Sequence, residues 1–209
     1  MFPTDILLAY LLAVLVVVIA PGPDNILAIS RGLSQGRLAG ALSSVGAGLG
    51  IMVHTVAAAL GLALVLQTSP LAFWVVKAVG AAYLLWLGCK AIFSRSLISF
   101  VPAARQPLKR VFLTGLMSNV LNPKPGLFVV AFIPQFCSAT RGSVPAQMLV
   151  YGAIFAVLTA VIFTVLGAFA AQLSHALSRR PRLVVGANVG AGLTFIAAGV
   201  SILALDRRR

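Results

Sequence analysis

Apolar stretches long enough to cross a lipid bilayer follow one another along most of this chain of 209 residues. A transmembrane helix needs about 20 mainly apolar residues, and stretches of this kind, bounded by proline, glycine or polar residues, predict six membrane spans. The spans are expected at 5–31, 38–66, 71–93, 110–136, 146–173 and 183–205. Charged residues make up 9% of the chain, whereas a soluble domain contains about 25%. The sequence therefore predicts an all-α integral membrane protein with a single transmembrane domain over residues 1–209.

The distribution of basic residues predicts how the chain is oriented. Lys and Arg number 16 against 3 acidic residues, and they concentrate between the apolar stretches, where they act as topology signals and contact anionic lipid headgroups. We therefore expect the lipid bilayer, and not a nucleic acid, as their partner. The loops after spans one, three and five are the more basic, so the positive-inside rule makes loop 94–109 cytoplasmic and places both termini outside. The C-terminal triplet Arg207–Arg209 argues for the opposite orientation.

Two Pro-x-Pro sequences interrupt otherwise apolar spans. The first lies at 21–23 and the second at 123–125, and a shift of 102 positions superimposes them. Each opens a group of three predicted spans, so residues 1–93 and 110–209 would be two repeats inserted in opposite orientations. Inverted repeats that contain broken helices point to a secondary transporter with a site near the bilayer midplane. The alternative is a coincidence between two proline-rich kinks.

The two breaks are the predicted binding site. Proline removes a backbone donor, and irregular backbone at membrane depth is tolerated only where it is buried in protein or lines a cavity. A helix that restarts after a break also presents unpaired N–H groups to a ligand. The predicted substrate-binding residues are Pro21, Gly22, Pro23, Asp24, Asn25, Asn122, Pro123 and Lys124. A kink with no binding role is the alternative.

Three ionisable residues in the predicted spans are candidates for coupling and binding. Asp24 is the only acidic residue between the chain's two ends, and it should face the interior toward a substrate ammonium, a proton or Lys124; capping the restarted helix is its alternative role. His54 could relay a proton, or it could simply pack against a neighbouring helix. Lys124 could pair with Asp24, bind a substrate carboxylate, or extend to the headgroups.

Glycines spaced four residues apart predict close helix packing, within the monomer or in a homodimer. They are Gly36, Gly40, Gly46, Gly50, Gly186 and Gly190. No nucleotide-binding loop, paired carboxylates or cluster with metal-ligand spacing is present in the sequence. The sequence therefore predicts neither an enzyme nor a bound metal or cofactor.

Several motifs resemble those of a known transporter family. The first is Ala20-Pro21-Gly22-Pro23-Asp24-Asn25, followed by Ser30-Arg31-Gly32, Gly36-Arg37, Gly46-Ala47-Gly48-Leu49-Gly50 and His54. Two further motifs are Lys77-x-x-Gly80-Ala81-Ala82-Tyr83-Leu84 and Gly115-x-x-x-Asn119-x-x-Asn122-Pro123-Lys124, which continues to Phe132-x-Pro134-Gln135-Phe136. Together they resemble the first four spans of the LysE/RhtB family of amino-acid exporters. Pro125 departs from the family pattern, which more often has a small apolar residue there.

The resemblance implies a carrier in the cell inner membrane that exports an amino acid or a derivative, coupled to the proton gradient. It does not select the cargo, since the family's substrates differ widely. From the residues alone, a passive pore and a non-transporting membrane subunit remain alternatives.

Overall fold

The computed structural model describes residues 3–68, 70–93 and 103–170, and then 172, 185–186, 189–190, 192–193, 195–197 and 199–200. This part of the chain is helical and contains no β-strand. The helices are α1 (Thr4–Ile19), α2 (Pro23–Gln35), α3 (Arg37–Thr68), α4 (Pro70–Phe93), α5 (Leu108–Val120), α6 (Pro123–Ala131) and α7 (Val144–Ala168). Two short 3₁₀ segments, Ile133–Phe136 and Ala139–Arg141, join α6 to α7.

Both predicted helix breaks are present. The axes of α1 and α2 are bent by 59°. The axis of α5 is bent by 52° relative to Pro123–Phe136, which comprises α6 and the first 3₁₀ segment and is called the α6 segment here. A proline is the first residue of each second half-helix, where its fixed φ suits the helix and its missing N–H would have had no partner. Pro125 also lies within the first turn of α6, so it starts this helix without interrupting its hydrogen bonds.

The apolar helices are those of a membrane protein. Among the described residues, Arg37–Gly61 and Val144–Ala168 are each long and apolar enough to cross a bilayer, and the two bent pairs raise the number to four if each is one span. α4 covers the predicted third span. Loop 94–109 ends earlier than expected, because α5 begins at Leu108, and its residues 94–102 lie outside the described part.

The predicted sixth span is described only in short helical pieces. Two of its glycines lie against α4: a Cβ on Gly192 would be 2.7 Å from the carbonyl oxygen of Gly88, and one on Gly199 would be 3.1 Å from that of Ala81. Six spans in two inverted repeats stay a prediction.

Helix α3 forms the centre of the packing, and it contacts α7, α5 and α2 most extensively. A Cβ on Gly46 would collide with the backbone of Phe112 and would lie 2.8 Å from the nitrogen of Leu116. One on Gly115 of α5 would collide with the backbone of Ser43. Because glycine has no side chain, the two backbones can touch at these positions. Membrane helices gain van der Waals contact in this way, since no hydrophobic effect drives them together.

The glycines predicted to pack have different roles. A Cβ added to Gly40 would lie 3.1 Å from the Cα of Gly167, and one added to Gly50 would lie 2.7 Å from the side chain of Asn119. Gly36 has a backbone role: its φ is +83°, and no described atom would lie within 4 Å of an added Cβ. Glycine is required at position 36 because the turn between α2 and α3 needs a positive φ there. No described atom lies within 4 Å of an added Cβ at 186 or 190.

One end of the helix assembly brings together the end of α2 and the chain before α5. The buried guanidinium of Arg31 donates to the carbonyl oxygen of Ala104 at 2.6 Å and to Oε1 of Gln106 at 2.9 Å. Gln35 donates to the carbonyl of Gln106 at 2.7 Å and accepts from its N–H at 2.9 Å. These polar contacts hold α2 and α5 together at the end that has the more basic loops.

The opposite end is closed by aromatic residues. The Tyr10 hydroxyl donates to the carbonyl of Tyr151 at 2.6 Å. The ring of Phe136 lies edge-on to that of Tyr10, with centroids 5.1 Å apart. The start of α1, the start of α7 and the end of the α6 segment therefore meet there, and the two ends differ in chemistry.

We expect Gly46→Leu to lower the free energy of unfolding by about 1–3 kcal/mol, because the new side chain must enter space occupied by the α5 backbone. Gly61→Leu is the matched control, since Gly61 is exposed on the same helix and no atom of the described residues lies within 4 Å of an added Cβ there. Thermal unfolding in detergent measures the difference. Equal stability of the two variants would contradict the proposed α3–α5 contact.

Candidate functional site at the two helix breaks

The first break is held by Asn25. The Gly22 N–H donates to Asn25 Oδ1 at 2.8 Å, and Asn25 Nδ2 donates to the carbonyl oxygen of Ala20 at 3.0 Å. Asn25 thus satisfies one donor and one acceptor that the break releases. Capping was the alternative role of Asp24, but Asn25 performs it, and the Asp24 carboxylate is directed at α5.

Asp24 is 7% exposed and accepts three hydrogen bonds from the second break and the turn before it. Ser118 Oγ donates to Oδ1 at 2.7 Å, Asn119 Nδ2 to Oδ2 at 2.8 Å, and Asn122 Nδ2 to Oδ2 at 3.0 Å. Bonds from neutral donors to a carboxylate are charge-assisted and offset the cost of its burial. Since a carboxylate has about four acceptor positions, about one is left for a further donor.

The second break is joined to the first through two side chains. Asn122 Oδ1 accepts from the N–H of Lys124 at 3.0 Å and so caps α6, while its Nδ2 reaches Asp24. Lys124 Nζ donates to the carbonyl oxygen of Ala20 at 2.8 Å. Lys124 therefore meets the first break through a carbonyl, and its charge and that of Asp24 attract through space.

Asp24 and Lys124 occupy the same position in their half-helices. α2 starts at Pro23 and α6 at Pro123, so each charged residue is the second of its helix. The two half-helices therefore start 100 positions apart, whereas the Pro-x-Pro sequences are 102 positions apart. When the helices are aligned at their starts, the anionic Asp24 corresponds to the cationic Lys124.

A cavity of about 30 Å³ lies between the two breaks and α7. A water molecule needs about 10–15 Å³ on this measure, so there is room for about two. The cavity is lined by Val17, Val18, Gly22, Asp24, Asn25, Ile51, Asn119, Asn122, Lys124, Pro125, Phe155, Thr159 and Phe163. Its wall therefore has one anionic group, one cationic group and a largely apolar face on α7.

The structure brings most of the predicted binding residues together. Gly22, Asp24, Asn25, Asn122 and Lys124 all line the cavity. The predicted prolines at 21, 23 and 123 are not among the lining residues, and they shape the backbone that presents the others.

His54 lies behind the site. Its Nε2 is 3.1 Å from the carbonyl oxygen of Asn119, and its Cε1 is 2.9 Å from the position of a Cβ on Gly126. It is not among the cavity-lining residues. Asn119 connects His54 to Asp24. Its backbone carbonyl contacts the imidazole, and its side-chain amide donates to the carboxylate.

Sequence reasoning missed Ser118, Asn119 and the site-lining face of α7. Asn119 and Asn122 are three residues apart, and two amides at that spacing inside an apolar span would have indicated a common polar face. No comparable signal marks Phe155, Thr159 and Phe163, because an apolar face at helical spacing is also typical of ordinary packing.

We expect Asn122→Asp to lower the free energy of unfolding by about 1–3 kcal/mol, because it keeps the helix cap but replaces a donor to Asp24 with a second carboxylate. Adding Asp24→Asn should recover part of this loss, since an amide again faces a carboxylate. Thermal unfolding in detergent is measured for Asn122→Asp, for Asp24→Asn and for the double variant. A double variant whose loss equals the sum of the single losses would contradict the Asp24–Asn122 contact.

The chain is similar to known membrane proteins over nearly its whole length. The LysE type translocator family model matches residues 15–205. An uncharacterized membrane protein of Vibrio cholerae is 33% identical over 194 residues, covering 92% of this chain and 94% of that protein. The uncharacterized membrane protein YrhP of Bacillus subtilis is 34% identical over 167 residues, covering 75% of this chain and 79% of YrhP.

A relative with a named activity is more distant. The leucine efflux protein of Salmonella typhimurium is 26% identical over 200 residues, covering 94% of each chain. No solved structure is significantly similar to this chain. The family match and the apolar helices together show that this multi-pass membrane protein belongs to the LysE type translocator family.

Proposed function

We propose that this protein is a secondary transporter that exports an amino acid or an amino-acid derivative across the inner membrane, driven by the proton gradient. One observation supports this most directly. The carboxylate of Asp24 and the ammonium of Lys124 line the same small cavity, at the starts of two half-helices. An amino acid is a zwitterion, so its two charged ends match these two groups.

Each end of the substrate has a binding position. The substrate ammonium would donate to the acceptor position of Asp24 that Ser118, Asn119 and Asn122 do not use. The substrate carboxylate would lie near the Lys124 ammonium at the N-terminus of α6, where the helix dipole also favours an anion. The substrate side chain would lie against Ile51 or α7.

The cavity walls favour cargo with an uncharged side chain. Asp24 and Lys124 already balance the two charges of the backbone, and Ile51, Phe155 and Phe163 supply apolar surface. A second charge on the substrate would have no partner among the lining residues and would be costly to bury. The similarity to leucine efflux proteins favours the same class of substrate.

Transport would require the site to open at one end at a time. The cavity holds about two water molecules, so an amino acid needs a conformation with more space. We propose six spans in two inverted repeats, 1–93 and 110–209, which rock about this site. The similar bends of the two broken spans, 59° and 52°, support this arrangement.

The two ends would act as alternating closures. The basic loops lie on the cytoplasmic side by the positive-inside rule, so substrate would enter after the contacts of Arg31 and Gln35 with 104–106 break. Release to the outside would then require separation of the aromatic contacts of Tyr10, Phe136 and Tyr151. The cytoplasmic contacts are polar, and water can replace them at low cost.

Proton coupling would arise from competition at Asp24. A proton and a substrate ammonium both satisfy the remaining acceptor position of this carboxylate, and the two would exclude each other there. An outside proton that binds Asp24 would displace the substrate during release. His54 would influence this exchange indirectly, through the orientation of Asn119.

We expect Asp24→Asn to reduce gradient-driven amino-acid efflux from proteoliposomes to the rate of protein-free vesicles, because the amide binds neither a proton nor an ammonium as a carboxylate does. Asp5→Asn is the matched control, because Asp5 is exposed near the start of α1. Labelled amino acids are followed with and without an imposed pH gradient. Undiminished coupled efflux by Asp24→Asn would exclude the proposed role, and wild-type flux insensitive to the gradient would favour a passive pore.

We expect Lys124→Met to raise the half-saturating amino-acid concentration by about tenfold, because a charge-assisted contact to the substrate carboxylate is lost. Lys109→Met, at an exposed lysine before the second break, should leave it unchanged. Substrate counterflow in proteoliposomes gives both values. An unchanged half-saturating concentration in Lys124→Met would place the substrate carboxylate elsewhere.

A further inference from the structure

The hydroxyl of Thr159 is a polar group of the cavity wall that the proposed function has not yet used. Thr159 is 2% exposed and lines the cavity together with Asp24 and Lys124. Its Oγ1 is buried and has no hydrogen-bond partner in the described part of the chain. A buried hydroxyl without a partner costs free energy, so its presence needs an explanation.

Two other buried hydroxyls, both in α3, are satisfied by their own helix backbone. Ser44 donates to the carbonyl of Gly40 at 2.7 Å, and Thr55 to that of Ile51 at 2.8 Å. This bond to the carbonyl four residues earlier is the usual arrangement for Ser and Thr inside a helix. Thr159 could make the same bond to Phe155 and does not. Its hydroxyl therefore stays available to a group inside the cavity.

Helix α7 holds Thr159 in a fixed position. One turn before Phe155, a Cβ on Gly152 would collide with the Thr55 side chain. A Cβ on Gly48 of α3 would be 2.9 Å from the carbonyl oxygen of Ala156. Backbone contacts on this face thus fix the height and rotation of α7, and a group on such an element is better positioned than one on a loop.

We propose that Thr159 is a specificity-determining residue whose hydroxyl hydrogen-bonds the side chain of the bound substrate. This inference rests on the proposed function, because it takes the two ends of the zwitterion to be bound by Asp24 and Lys124. The Thr159 hydroxyl then binds a third part of the substrate, its side chain. Phe155 and Phe163 line the cavity one helical turn before and after Thr159. A neutral side chain with a hydrogen-bonding group is preferred to its apolar isostere.

The preference follows from the cost of leaving the hydroxyl unpaired. An apolar side chain that fills the cavity excludes water and leaves Oγ1 without a partner, whereas a substrate hydroxyl pairs with it. Discrimination against an analogue that lacks the hydrogen-bonding group is larger than discrimination by shape alone. We expect about a tenfold preference within an isosteric pair.

Thr159→Val tests the inference, because it keeps the shape of the side chain and removes the hydroxyl. Thr55→Val is the matched control: Thr55 is equally buried, but its hydroxyl is already bonded within α3. Half-saturating concentrations in counterflow are measured for threonine against its isostere valine. We expect the wild type, Thr159→Ser and Thr55→Val to prefer the hydroxylated member about tenfold, and Thr159→Val to lose that preference.

The outcomes separate this inference from the function. If the wild type transports amino acids and Thr159→Val keeps the wild-type ratio, the role of Thr159 is wrong and the exporter stands. If the wild type transports no amino acid, the function fails and this inference fails with it. Thermal unfolding without ligand gives a second test, since removal of an unpaired hydroxyl should not destabilise the protein. A clear loss of stability in Thr159→Val would reveal a structural partner and overturn the inference.

Discussion

The buried carboxylate of Asp24 is the constraint on which the rest of the structure depends. An ionised Asp at the centre of a membrane helix costs about 2.5–3.5 kcal/mol on insertion scales, and three neutral donors from Ser118, Asn119 and Asn122 compensate it here. Two of these donors lie in the last turn of α5 and the third lies in the second break, so the carboxylate of the first break is joined to the second. Asn122 makes this explicit, since one end of its amide caps α6 and the other donates to Asp24. The two breaks are thus a single polar unit inside an apolar assembly.

The surrounding helices position this unit and limit what can move. α3 touches the backbones of α5 and α7 through glycines, and such close contacts leave little room for displacement. The half-helices are closely packed as well: a Cβ on Gly32 of α2 would collide with the backbone of Gly167, and one on Gly80 of α4 would collide with the Ala131 side chain of α6. The hydrogen bonds around the two breaks are the contacts that water or a substrate can exchange.

The breaks and the clustering of Asp24, Asn122 and Lys124 were predictable, because Pro-x-Pro in an apolar span is a local signal and intramembrane charges seek one another. The division of roles within each break was not, because Asp24 and Asn25 are both good caps and only the position of α5 decides between them. The distance of His54 from the site could not be predicted either, because its position along α3 does not show which neighbouring helix it faces. The α7 face looks like packing in sequence and becomes a cavity wall only through tertiary contact. Six spans in inverted repeats stay a prediction from the apolar pattern.

The central claim is that the two breaks form one site that binds both ends of a zwitterion. The most direct measurement compares the binding to purified wild-type protein of a transported amino acid, the corresponding amine without the carboxylate and the corresponding acid without the ammonium. The account predicts that each single-ended analogue binds at least about tenfold more weakly than the amino acid, since each loses one charge-assisted contact. Equal affinity of the amino acid and either analogue would contradict a site that uses both Asp24 and Lys124.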